Sequence, residues 1–197
     1  CIAPDYLIVH HSVATQLVKK IKALSEANNT SAKANIITEK HHARLQQLCN
    51  TNEDLNKKTL CIVEIENISH PLMQEEIFGP ALPIIKYSNI EELNSIIGLE
   101  KPLSLYIFSK KQSTIDYILN TFSSGGVGVN SVLLHFANHY LPFGGVGQSG
   151  YGKYHGHFGF LEMSHQRAII EQKYFSFTRK LLMPPYTKEK YNLLKFF

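Results

Sequence analysis

Apolar and polar positions fall along this chain in blocks of two kinds. Short apolar runs, YLIVH at 6–10, LCIVEIE at 60–66, ALPIIKY at 81–87 and LSLYIFS at 103–109, have the length and β-branched content of buried strands. Between them lie segments whose apolar residues recur every three or four positions. In HSVATQLVKKIKALSEANN the residues Val13, Leu17, Ile21 and Leu24 form one stripe, with Ser12 placed to cap the helix N-terminus. A second helix is predicted to start at Thr38. A third, NIEELNSIIG, carries a capping box of Asn89 with Glu92 and a stop at Gly98, and KQSTIDYILNTF supplies a fourth. VGVNSVLLHF reads as one more strand entering a loop, and the polar stretch NTNEDLNKK as a surface connection. Strands alternating with amphipathic helices predict an α/β fold: a mostly parallel sheet with flanking helices.

From residue 139 onward the texture changes to NHYLPFGGVGQSGYGKYHGHFGFLEM, too long and glycine-rich for a simple connector. Irregular segments beyond strand ends are where α/β proteins tend to hold their sites. Composition narrows the choice: 44% hydrophobic and 18% charged residues mark a globular chain. The net charge of +4 is spread out rather than clustered, which argues against a nucleic-acid surface. No apolar run approaches the ~20 residues of a membrane span. The three cysteines, Cys1, Cys49 and Cys61, form no CxxC pair and no even disulfide set, which predicts a reducing, cytoplasmic setting.

Three groups of residues invite chemistry. Gly-Val-Gly-Gln-Ser-Gly at 145–150 matches the dinucleotide fingerprint G-x-G-x-x-G, with Glu171 about twenty residues on, yet no amphipathic helix follows to meet a pyrophosphate. It is read as a loop needing glycine. His135 and His139, four apart, and His155 and His157, two apart, lack the glutamate or cysteine that would complete a zinc set; His41 and His42 read as solvent-facing. Cys1 admits three readings: a structural thiol, an N-terminal nucleophile using its own α-amine as base, or a catalytic thiol of a longer protein.

Six motifs choose among them: CIAPDY at the start, PLMQEEIFGP at 71–80, KPLSLYIFS at 101–109, SSGGVGVN at 123–130, LPFGGVGQSGYGKYHG at 141–156 and SHQRA at 164–168. In this order they resemble the C-terminal part of an aldehyde dehydrogenase, in the class 3 or fatty aldehyde branch. The resemblance implies that Cys1 is the nucleophile, that Glu76 binds the nicotinamide ribose of NAD or NADP, and that Phe78 packs near the nicotinamide. It places Phe143 against the aldehyde and Asn130 in the loops around that pocket. It further implies a catalytic domain over 1–163, then an oligomerisation strand and tail over 164–197, with Ser164–Ile170 pairing two copies into a homodimer. The aromatic and basic tail is expected to dock rather than to touch a membrane; fatty aldehyde dehydrogenases often end in an anchor, and none appears before Phe197.

The segment between ITEKHHARL and EEIFGP is shorter than the family's, so the substrate range is expected to differ. The family's dinucleotide-binding domain, general-base glutamate and oxyanion asparagine would all precede Cys1, which predicts a fragment of little activity alone. Other functions open at this stage are an N-terminal-cysteine hydrolase and an inactive module pairing with intact subunits.

Overall fold

A computed structural model describes residues 1–27, 36–52, 54–55, 60–98, 100–172, 174 and 177–195, with the backbone alone at 177 and 178. The chain divides into two compact units, Cys1–Glu162 and Met163–Phe197.

The first unit is built on two parallel sheets. Strands β1 (Leu7–His10), β2 (Cys61–Ile65) and β3 (Ala81–Tyr87) pair in the order β1-β3-β2, and β4 (Ser104–Ile107) pairs with β5 (Gly126–Val129). The single sheet predicted from the strand pattern is therefore two sheets in hydrogen-bonding terms. β3 is central, and its five leading residues are all buried, as expected for a strand covered on both faces.

β1 runs directly into helix α1 (His11–Ala27), leaving Ser12 no capping position. His10 takes that role: its Nδ1 accepts from Ser12 N at 3.3 Å and from the Ser12 hydroxyl at 2.7 Å, while its Nε2 donates to Ser88 O at 3.0 Å. The early start also rotates the buried face. Ala14 is fully buried, with Leu17 and Val18 beside it in a cluster with Val9 and Ile84. Val13 and Leu24, assigned to the stripe, are 49% and 63% exposed. α2 (Glu39–Leu48) starts as its sequence indicates, Thr38 Oγ1 accepting from His41 N at 3.1 Å. In the turn before α3 (Leu93–Ile97), Glu92 Oε1 accepts from Asn89 N at 3.0 Å, and Gly98 closes the helix at φ 57°. Helix α4 (Gln112–Thr121) joins β4 to β5.

After β5 the chain departs from its predicted course. The strand ends at Val129, and Leu134–Ala137 forms one helical turn, α5. A short helix, α6 (Gly156–Glu162), lies within the glycine-rich segment that carries no apolar helical period, and it opens six residues after Gly150 rather than on it. The offset keeps 145–150 from acting as a phosphate turn. NTNEDLNKK and the tail fall partly outside the described residues.

The second unit holds two short helices, α7 (Phe177–Leu182) and α8 (Lys188–Leu194). The segment Ser164–Ile170, expected to be a strand, has no strand pairing within the chain, and Ile169 and Ile170 are 75% and 95% exposed. An extended segment becomes a strand only against another strand, and among the described residues none lies beside it. No helix among the described residues is long and apolar enough to cross a membrane.

One core cluster underlies everything that follows. Leu45 of α2 packs with Leu55, Leu72, Ile77 and Ala81, directly beneath the turn that precedes β3. Truncation of Leu45 to alanine is expected to lower the unfolding free energy by about 2–5 kcal/mol, the usual range for a buried leucine. Urea denaturation checks this, and a change near zero would show that the turn is not seated on α2.

Candidate active site

Cys1 and Glu76 stand at the entrances of two neighbouring strands. Residues 1–6 lead into β1 and residues 75–80 into β3, and because these strands are adjacent and parallel their entrances lie side by side. The backbone nitrogen of Cys1 is 3.5 Å from Glu76 Oε1. This half of the site therefore gathers at strand beginnings, not beyond the strand ends where the glycine-rich segment had directed attention.

The turn carrying Glu76 is held from below by α2. Arg44 Nη2 donates to the carbonyls of Glu76 at 3.1 Å and Ile77 at 3.2 Å, and its Nη1 pairs with Glu75 Oε1 at 2.7 Å. His41 Nε2 donates to the same Ile77 carbonyl at 2.9 Å. His41 is thus a half-buried structural donor rather than a solvent-facing residue. His42 is engaged as well, its Nε2 lying 3.2 Å from Asp54 Oδ1 and 3.1 Å from Leu55 N. With its main chain fixed, the turn presents Phe78 outward at φ 48° and 50% exposure. A positive φ at a bulky residue is strained and persists only where its surroundings hold it.

The cysteine segment is tied to this turn from above. Asp5 Oδ1 accepts from Ile77 N at 3.1 Å, and Tyr6 donates its hydroxyl to Glu100 Oε2 at 3.2 Å. Burial raises the Asp5 pKa; the Ile77 N–H opposes that rise and the Glu76 charge adds to it. Burial, and then the Glu100 charge, push the Tyr6 phenol well above its ordinary range.

The remaining predicted residues lie along β4 and β5 and the loops after them. Asn130 sits at φ 52° just past β5, where its side chain accepts from Ser109 N at 3.0 Å and donates to Ser109 O at 3.1 Å. Phe143 is half-buried, paired through its backbone with Tyr154, and ringed by His135, Phe136 and His155 at centroid distances of 6.3, 5.0 and 5.9 Å. His135 bonds Ser104 Oγ at 3.1 Å, and desolvation lowers its pKa. The close approach of these loops depends on Gly125: a Cβ there would collide with the carbonyl of Gly144 and lie 2.7 Å from that of Leu103.

Asp5, His41, Arg44 and Tyr106 were not singled out from the sequence. Each acts on a main-chain group far away in the chain, and a lone polar residue in a helix or strand carries no local sign of that. Only the fixed spacing of IAPDY behind Cys1 could have pointed to Asp5.

A nucleophile-type cysteine beside an exposed carboxylate, both set into a parallel α/β framework, defines a class of cysteine-dependent enzyme sites. Residues 1–169 match the aldehyde dehydrogenase family model, and the chain belongs to the aldehyde dehydrogenase family. It is 38% identical to aldehyde dehydrogenase family 3 member A2 of Mus musculus, over all of this chain and 44% of that protein. It is 37% identical to the dimeric NADP-preferring aldehyde dehydrogenase of Bos taurus, over 86% of this chain and 78% of that one. The substrate-bound state of Staphylococcus aureus AldH superposes with a TM-score of 0.80 at 33% identity, covering 98% of this chain and 46% of that one. The chain therefore spans less than half the length of several of its relatives.

The Asp5 bond gives a pH test. A carboxyl whose folded pKa is raised binds its proton more readily in the folded state, so the associated stability is present at low pH and is lost as pH rises through that pKa. Asp5→Asn keeps the acceptor for Ile77 N but removes the titration. The unfolding free energy of the parent minus that of Asp5→Asn is expected to increase on going from pH 7 into the ordinary aspartate range, as read from urea midpoints. A constant difference, or one moving the other way, would show that the carboxylate is not desolvated.

Proposed function

We propose that the protein oxidises an apolar aldehyde to a carboxylic acid with NAD or NADP, and that Cys1 is its nucleophile. The approach of Cys1 to Glu76, with 3.5 Å between backbone nitrogen and carboxylate, carries this reading, because it puts a thiol and a ribose-binding carboxylate within one dinucleotide's reach. The Cys1 thiolate adds to the aldehyde carbon, forming the C–S bond of a thiohemiacetal. When bound, the dinucleotide supplies the hydride acceptor that converts this adduct to a thioester. Water then cleaves the C–S bond, releasing the acid and restoring the thiolate.

The residues fit such a cofactor. Glu76, 47% exposed, offers two acceptor oxygens for a pair of ribose hydroxyls, and Phe78 offers an exposed flat face for a nicotinamide ring. Phe143 and its neighbour Phe136 form an aromatic wall suited to an apolar tail, and Asn130 shapes the loops beside it. The name of the Bos taurus relative describes a dimeric, NADP-preferring enzyme, and both properties accompany this proposal. Ser164–Ile170 would pair with its counterpart in a second copy, which would bury Ile169 and Ile170. Residues 1–163 serve as catalytic domain and 164–197 as assembly strand and docked tail. All three cysteines are free, which suits a cytoplasmic setting.

Iodoacetamide labelling read by mass spectrometry tests the nucleophile. Exposed Cys1 is expected to react first, ahead of the half-buried Cys49 and Cys61, and an apolar aldehyde is expected to slow its labelling. The protection should survive acetylation of the α-amine, since a thiohemiacetal needs only the thiol. Protection that vanishes on acetylation would instead indicate ring closure between amine and thiol, and the proposal would fail. For the assembly strand, Ile169→Asp is expected to convert dimer to monomer in sedimentation velocity, and an unchanged dimer would remove that role.

A further inference from the structure

Residues 1–5 have no main-chain to main-chain hydrogen bond among the described residues. Pro4 lacks an N–H altogether. A cysteine at the head of so loosely bonded a segment would sample many orientations, yet transfer reactions demand reacting atoms at about 3–3.5 Å in a narrow range of angles. Something outside the segment must hold it.

The hydroxyl of Tyr106 donates to the Ile2 carbonyl at 2.6 Å, across 104 positions of sequence. Tyr106 itself has little freedom. It lies in β4 in register with Gly128 of β5, and a Cβ on Gly128 would lie 3.0 Å from Tyr106 Cδ1, so the glycine makes room for the ring to lie across its partner strand. The other side of the ring meets His135 at 5.7 Å and 62°, and His135 is fixed by Ser104 Oγ at 3.1 Å. The hydroxyl therefore reaches the cysteine segment from a rigid support belonging to the other sheet.

We infer that Tyr106 is the positioning residue for the Cys1 nucleophile, holding the Ile2–Ala3 peptide so that the sulfur keeps its place relative to Glu76. The inference rests on Cys1 acting as the nucleophile. Asp5 on Ile77 N fixes the far end of the same segment, 3.1 Å from its donor, so the loop is held at both ends. Tyr106 touches neither sulfur nor cofactor carboxylate in this arrangement and acts only through the backbone. Its removal should slow turnover without altering the thiol's own reactivity.

The test uses Tyr106→Phe in the full-length protein, which deletes the hydroxyl and keeps the ring. Expected are a fall in kcat of about tenfold, the rate equivalent of one hydrogen bond, with KM for the aldehyde within about twofold of the parent. The iodoacetamide rate at Cys1 and the Tm should stay unchanged. A merely structural residue would instead lower Tm and speed labelling of Cys49 and Cys61, and that pattern, or a kcat within twofold of the parent, overturns the inference. A second change leaves Tyr106 intact: an α-hydroxy acid in place of Ala3 turns the peptide into an ester and weakens the Ile2 carbonyl as acceptor. It should lower kcat in the parent and have no further effect in Tyr106→Phe, whereas additive losses would overturn the link. Cys1→Ala separates the two layers. If it retains turnover, the nucleophile reading fails; if it is inactive while Tyr106→Phe is unimpaired, only the positioning role fails.

Discussion

The bond from Ile77 N–H to the Asp5 carboxylate, 3.1 Å long, joins the two stretches of chain that this site cannot do without. The nucleophile precedes β1 and the cofactor carboxylate precedes β3, and pairing between those strands fixes their axes but not the irregular residues in front of them. Parallel pairing sets register only from Leu7 and Ile84 onward. Before that point, the relation of Cys1 to Glu76 is a matter of side chains bonding to backbone. Asp5 supplies the direct link, and it does so partly desolvated, a position unfavourable to a carboxylate unless strong donors answer it.

Around that link the supports come from three directions. α2 lifts His41 and Arg44 into the carbonyls of the turn, Leu45 fills the space beneath it, and Tyr106 reaches in from the second sheet. Each support is a rigid element touching an irregular one. The arrangement explains how a segment with so few main-chain bonds can carry a residue whose orientation matters.

The framework was largely legible in the sequence because its signals are local. ALPIIKY is β3 to the residue, the Asn89–Glu92 box and the Gly98 stop are present, and Thr38 caps α2, since each depends on neighbours within a few positions. Errors arose where tertiary context decides. α1 has more apolar residues than one face can bury, and the direct junction with β1 selected Ala14 and Val18 over Val13 and Leu24. Ser164–Ile170 reads as a strand because its side chains suit one, yet a strand is a property of two segments. The residues assigned to chemistry were read from motifs. Asp5, His41, Arg44 and Tyr106 escaped because their bonds span 32 to 104 positions and leave no periodic trace.

Asn130 closes the smaller sheet in a way that reaches beyond its own position. Its side-chain amide accepts from Ser109 N and donates to Ser109 O, which is the pairing another strand residue would have made through its backbone. The ladder between β4 and β5 thus gains a final rung whose far side is a side chain, and at φ 52° the main chain is already free to leave. Whatever follows Asn130 is mechanically insulated from the sheet. The loop that leads to Phe143 can lengthen, shorten or change its lining without disturbing the strand that holds Tyr106, so the wall facing the substrate and the support of the nucleophile can evolve at separate rates.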